Sequence, residues 1–185
     1  PSFIPCNLFV RRAVFDSAGG YDPSFFDRKR HLYFREDADL GFRILDAGYA
    51  VTIAEDVIVE HPRQFFTLRD CIRHTQRYVF DPLLYRKHPL RFRQQIETKR
   101  IFGFPIHRPQ HYAALTYAIV VLLFLRGMFM GEAVEACLAG AAALVCSTLF
   151  RVKYQGVNAL RFYKLHETVG FLAVPVVYLG AIIRG

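Results

Sequence analysis

Several common chemistries have no motif in this sequence. It contains no G-x-G-x-x-G, no P-loop pattern and no H-E-x-x-H, so it shows no signature of dinucleotide, P-loop nucleotide or zincin chemistry. Its four cysteines, Cys6, Cys71, Cys137 and Cys146, form no C-x-x-C pair. That spacing gives no zinc site and reads as reduced thiols, two of them in apolar stretches. Reduced thiols fit a cytosolic setting for the soluble part. Internal repeats and low-complexity segments are also missing. The chain begins at Pro1 with no visible signal or transit peptide, so a fragment of a longer protein is expected.

Charge and apolarity are both present, but in different places. Of 185 residues, 53% are hydrophobic and 22% charged. The first part is charged and aromatic, and the chain turns apolar after about residue 110. That shift predicts a soluble unit followed by membrane segments. The net charge of +8 suits nucleic acid, anionic lipid or a diphosphate. Beside an apolar tail, lipid and diphosphate are the better fit, and no nucleic-acid partner is expected.

Local patterns predict the elements. Residues 3–10 read as a buried strand, and Arg11 to Ala18 as a short helix stopped by Gly19-Gly20. Tyr21-Asp22-Pro23 reads as a turn. Residues 37–47 read as a helix with Leu40, Ile44 and Leu45 on one face and Gly48 as its stop. Residues 49–54 and 57–60 read as strands. Thr67 and Asp70 have capping-box spacing before a further helix. A stretch crowded with Arg, Lys and His follows, from Tyr85 to Arg108.

Three apolar stretches come next: 112–125, extendable to Met130; 133–150; and 168–183, interrupted by Pro175. Each is marginal as a lone span, which needs about 20 residues. Arg151, Lys153, Arg161 and Lys164 lie between the second and third stretches. With the basic 85–108 segment in the cytoplasm, the first two stretches fit a hairpin that goes out and returns. The third either spans or lies in the interface. A buried helical pair of a soluble domain is the competing reading.

The densest chemical signal is Arg35-Glu36-Asp37-Ala38-Asp39-Leu40-Gly41-Phe42-Arg43. Acids at a helix N-terminus are stabilised by the helix dipole and the free N–H groups. A carboxylate held there in a cleft can act as a general base. A solvated acidic helix start is the plain alternative.

The surroundings add to this signal. Asn7, Arg11-Arg12, Phe15, Gly19-Gly20-Tyr21-Asp22, Glu36-Asp37-Ala38-Asp39-Leu40, Arg43, Gly48-Tyr49 and His61 follow one another in order. Together they resemble the C-terminal half of a family 2 glycosyltransferase domain, over residues 4–61. The resemblance implies an α/β fold: the C-terminal half of a GT-A (nucleotide-diphospho-sugar transferase) domain at 1–66. A basic helical connector at the membrane surface, at 67–110, and two or three membrane helices at 111–185 would follow.

The resemblance also implies roles. Asp37 matches the catalytic base and Glu36 flanks the acceptor site. Asn7, Arg12 and Asp39 fall among substrate-binding positions. His61, 24 residues after Asp37, matches a metal-binding position for Mn²⁺ or Mg²⁺, or is a strand-end residue. His74-Thr75-Gln76-Arg77-Tyr78 sits where processive members carry Q-x-x-R-W, with His for Gln and Tyr for Trp. Arg77 then either contacts a diphosphate or belongs to a cationic helix face.

The expected activity is inverting, metal-dependent transfer of a hexose-like sugar. The donor is a nucleotide-diphosphate sugar and the acceptor a lipid-linked or glycan molecule at the cytoplasmic membrane face, as in cell-envelope polysaccharide synthesis. The donor-binding D-x-D half is not in this stretch, so the fragment alone should be inactive. A membrane-anchored, non-catalytic scaffold is the other reading.

Overall fold

A computed structural model describes residues 8–60, 67–101, 104–155 and 169–185. These residues form two compact units. One gathers those within Pro1–Arg63 and Val79–His107, with Gly185; the other gathers those within Gln64–Tyr78 and Arg108–Arg184. The expected connector at 67–110 is thus divided: 67–78 and 108–110 belong to the second unit and 79–107 to the first.

In the first unit, α1 (Arg12–Ser17) ends at Gly19 and Gly20. Both glycines have positive φ (78° and 67°), a conformation that a side chain would strain. Asp22 then caps a 3₁₀ turn at Pro23–Phe25 by accepting from the Ser24 N–H at 2.8 Å. β1 (Phe26–Asp27) and β2 (Leu32–Tyr33) pair antiparallel, with Phe26 opposite Tyr33. α2 (Glu36–Asp46) follows, one residue earlier than its sequence pattern predicts, and Gly48 (φ 82°) ends it.

The chain returns to this unit as α4 (Asp81–Lys87), α5 (Pro89–Phe92) and a π-helical turn at Arg93–Glu97. A hairpin of β3 (Thr98–Ile101) and β4 (Phe104–His107) closes it. Phe25, Leu32, Ala38, Phe42, Phe80, Leu84 and Phe92 form its core. α2 buries Ala38, Leu40, Phe42 and Ile44. A leucine, isoleucine or phenylalanine side chain contributes about 1.5–3 kcal/mol when fully buried.

The sheet expectation needs correction. Helices dominate, and among the described residues the sheets are two separate antiparallel pairs. The expected strands at 49–54 and 57–60 do not form. That stretch is irregular with one turn, where the Val57 N–H donates to the Ala54 carbonyl at 3.3 Å. A strand exists only against a partner that takes its N–H and C=O groups, and no described residue pairs with this stretch. Of the expected strand at 3–10, residues 8–10 are not in a strand and the rest lie outside the described residues.

In the second unit, α3 (Leu68–Gln76) starts with the predicted capping box, in which Thr67 and Asp70 bond each other's backbone N–H. α6 (Pro109–Met130) and α7 (Ala133–Gln155) pack together as a hairpin turned by Gly131 (φ 73°). Gly127 makes that contact close, since a Cβ there would lie 2.8 Å from the Ala136 nitrogen. Beyond it, the Arg126 guanidinium donates to the Glu135 carboxylate at 2.6 Å.

A 3₁₀ turn at Phe171–Ala173 leads into α8 (Val174–Arg184). Pro175 sits in the first turn of α8, where the 3₁₀ turn gives way to the α-helix. Cys71, Ala114, Phe171, Val174 and Tyr178 form this unit's core.

Among the described residues, α6 is the one helix long and apolar enough to cross a membrane, over Gln110–Met130. The apolar part of α7, Ala133–Thr148, is shorter, and α8 has 11 residues, about 16 Å.

Candidate functional site

The acidic helix start is held from behind. Arg35, the residue before α2, has φ 76°, an unfavourable conformation for a residue with a side chain. Its guanidinium donates to Asp81 at 2.7 Å and lies over the Phe34 ring, 4.2 Å from the centroid. Asp81 is the first residue of α4, where the dipole favours a carboxylate. The ion pair therefore fixes the point at which α2 begins.

Glu36 and Asp37 occupy the first turn of α2 and are half-buried. Asp37 Oδ1 accepts from the Ala38 N–H at 2.8 Å. Tyr21 lies near both acids: burial first, then the charges of Asp37 and Glu36, push its phenol pKa above the ordinary value. Phenol and carboxylates so placed form a polar, negatively charged corner. There a carboxylate can accept a proton and the phenol can hydrogen-bond a polar ligand.

Asp39 has a different role. It is fully buried, and its oxygens are taken by three cationic or donor groups. Arg43 donates through Nε at 2.9 Å, Lys87 Nζ lies at 3.0 Å, and His88 Nε2 lies at 3.0 Å. Burial alone would raise the Asp39 pKa, but the hydrogen bonds from Lys87, His88 and Arg43 outweigh it and bring it below the ordinary value.

The network extends outward from Asp39. Arg43 also donates to the carbonyls of Ala18 and, at 2.7 Å, Gly20, clasping the glycine turn. Lys87 pairs with Asp22 as well. That hydrogen bond, with the one from the Ser24 N–H, lowers the Asp22 pKa to about 2. Burial pulls the Lys87 pKa down, but its bonds to Asp22 and Asp39 raise it above the ordinary value. His88 stacks edge-on against Phe42 at 5.3 Å.

The structure thus brings Glu36, Asp37 and Tyr21 together and turns Asp39 inward as an anchor. Arg12 is exposed and paired with Asp16 at 2.8 Å. Arg77 belongs to the other unit, where its Nη1 lies 3.1 Å from His74 Nδ1. Asn7 and His61 lie outside the described residues. No group of three or more His, Cys, Asp or Glu side chains that could hold a metal comes together among the described residues.

Sequence reasoning gave Arg35 no role of its own and missed Asp81, Lys87 and His88. Lys87 and His88 are separated from Asp39 by 48 and 49 residues and sit within a general run of basic residues, so no local spacing marks them. Compared with family models, curated proteins and solved structures, the chain matches none.

Proposed function

We propose that this chain is part of an inverting glycosyltransferase. The enzyme moves a sugar from a nucleotide-diphosphate donor to a lipid-linked or glycan acceptor at the cytoplasmic face of a membrane. The observation that carries the reading is Asp37, a half-buried carboxylate in the first turn of a helix anchored through Asp39 and Arg35. α6, long and apolar enough to span, supports the membrane setting.

In this reading, Asp37 takes the proton from the acceptor hydroxyl as that oxygen attacks the anomeric carbon. Attack comes from the face opposite the nucleotide diphosphate, which leaves with the bonding electrons, so the configuration inverts. Glu36 and Tyr21 flank the acceptor. Arg12 and Asn7 contact substrate in the same proposal, and Arg77 meets the diphosphate. Asp39 holds the helix so that Asp37 is placed before the acceptor arrives. Dependence on Mn²⁺ or Mg²⁺ through His61 belongs to the proposal and is tested by chelation.

The test is nucleotide release by the full-length protein that contains this stretch, in its membranes, offered UDP-, GDP- and dTDP-sugars with Mn²⁺ or Mg²⁺. Acceptor-dependent release should fall by about 10²–10⁴-fold in Asp37→Asn, with the fold retained by circular dichroism, and should be lost with EDTA. Unchanged turnover in Asp37→Asn refutes its role as base. No release with any donor, from a folded protein, favours the non-catalytic scaffold.

A further inference from the structure

α3 is amphipathic in a way the proposed chemistry does not use. Its inner side carries Leu68, Cys71, Ile72 and Thr75; Cys71 and Thr75 are fully buried. The Thr75 hydroxyl donates to the Cys71 carbonyl at 2.7 Å. The core it joins includes Ala114 of α6 and Val174 and Tyr178 of α8. Arg69 and Arg73, one helical turn apart, are exposed.

The level of α3 along α6 is also defined. Ala114 lies four residues into the apolar span that starts at Gln110, about 6 Å along the axis. Exposed apolar side chains follow it: Leu115, Ile119, Leu122 and Leu125. Tyr112, 62% exposed, sits just before them, where an aromatic ring favours the membrane–water boundary. Arg151 of α7 lies over the Phe171 ring, 5.5 Å from its centroid, in the same cluster. Basic groups and an amphipathic helix thus gather at the end of the unit where α6 begins.

We propose that α3 is an interfacial helix whose exposed Arg69–Arg73 stripe binds anionic phospholipid headgroups at the level where α6 enters the bilayer. The inference rests on α6 lying in a membrane and does not depend on the transferase chemistry. Guanidinium groups pair with phosphate oxygens through two N–H donors, and a basic stripe on a helix lying in the interface is attracted to anionic lipid.

The test uses the whole chain in phosphatidylcholine nanodiscs containing trace spin-labelled phosphatidylglycerol or phosphatidylcholine. The motionally restricted fraction of each label reports lipid selectivity. The wild type should prefer the glycerol lipid at low salt and lose much of that preference at 0.5 M salt, where the screening length is only about 4 Å. Arg69→Gln with Arg73→Gln should lower the preference, on the order of fivefold per arginine at low salt. Arg69→Lys with Arg73→Lys should keep most of it.

Equal binding of both lipids by the wild type overturns the inference. So does a glutamine pair that keeps the wild-type preference, or a lysine pair that loses it as fully as the glutamine pair. RNA binding by these arginines without lipid preference overturns it too. A chain that fails to incorporate into bilayers overturns it together with the span of α6. Nucleotide release by the full-length protein in its membranes separately reports whether the transferase reading stands.

Discussion

α2 and α6 are both helices, yet opposite means hold them. α2 is fixed by charge: Asp39 is buried against Arg43, Lys87 and His88, and Arg35 is tied to Asp81 in front of it. α6 is fixed by closeness, with Gly127 against the backbone of Ala136 and Gly140 facing the Phe124 ring. A buried ion cluster tolerates the loss of a member poorly but defines orientation through directed bonds. A close apolar contact lacks that direction and depends on small volume. The first fixes the direction of a helix whose first turn carries two further carboxylates, and the second suits one whose outward side chains are largely apolar.

Substitutions can separate the two modes, read by hydrogen exchange on each helix. Asp39→Ala should have the largest effect. It leaves Arg43, Lys87 and His88 around an empty buried position and should cost about 3–5 kcal/mol. Exchange should quicken in α2 and leave the α6–α7 hairpin unchanged. Gly127→Leu should show the reverse pattern, costing about 1–3 kcal/mol by forcing the hairpin apart. Thr67→Ala removes the cap of α3 and should cost about 1 kcal/mol, seen as fraying of that helix's first turn.

Acid should give the smallest and most selective effect. The Asp22 and Asp39 pKa values are lowered in the folded chain, so their contribution is present above the ordinary carboxylate range. It should be lost as pH falls, between about 4 and about 2 for Asp22. Melting followed by circular dichroism should fall across that window in the wild type and fall less in Asp22→Asn. If the acid response is identical in the two proteins, the Lys87–Asp22 pair contributes no measurable stability.

What was legible in the sequence follows the range of the forces involved. The helix at 36–46, the glycine turn at 19–20 and the Thr67–Asp70 box are local, and their signals lie within one or two turns of the chain. The strands expected at 49–60 failed because alternation states only what a strand would bury, and pairing needs a neighbour. The hairpin at 98–107 went unread within a basic segment because its pairing, Thr98 opposite His107, has no alternating apolar pattern to announce it. At the site, the acid pair was visible by composition. The inward turn of Asp39 was not, since it depends on Lys87 and His88 arriving from a distant helix.

The clasp formed by Arg43 has a consequence for how this sequence can drift. One guanidinium serves the Asp39 carboxylate and the carbonyls of Ala18 and Gly20 together. Replacing Asp39 takes the shared acceptor from Arg43, Lys87 and His88, and replacing any one of those takes a hydrogen bond from the buried Asp39, so the accessible routes of change run through paired substitutions. In relatives of this chain, these four positions should be inherited as a block, with combined replacements far less damaging than the sum of the single ones.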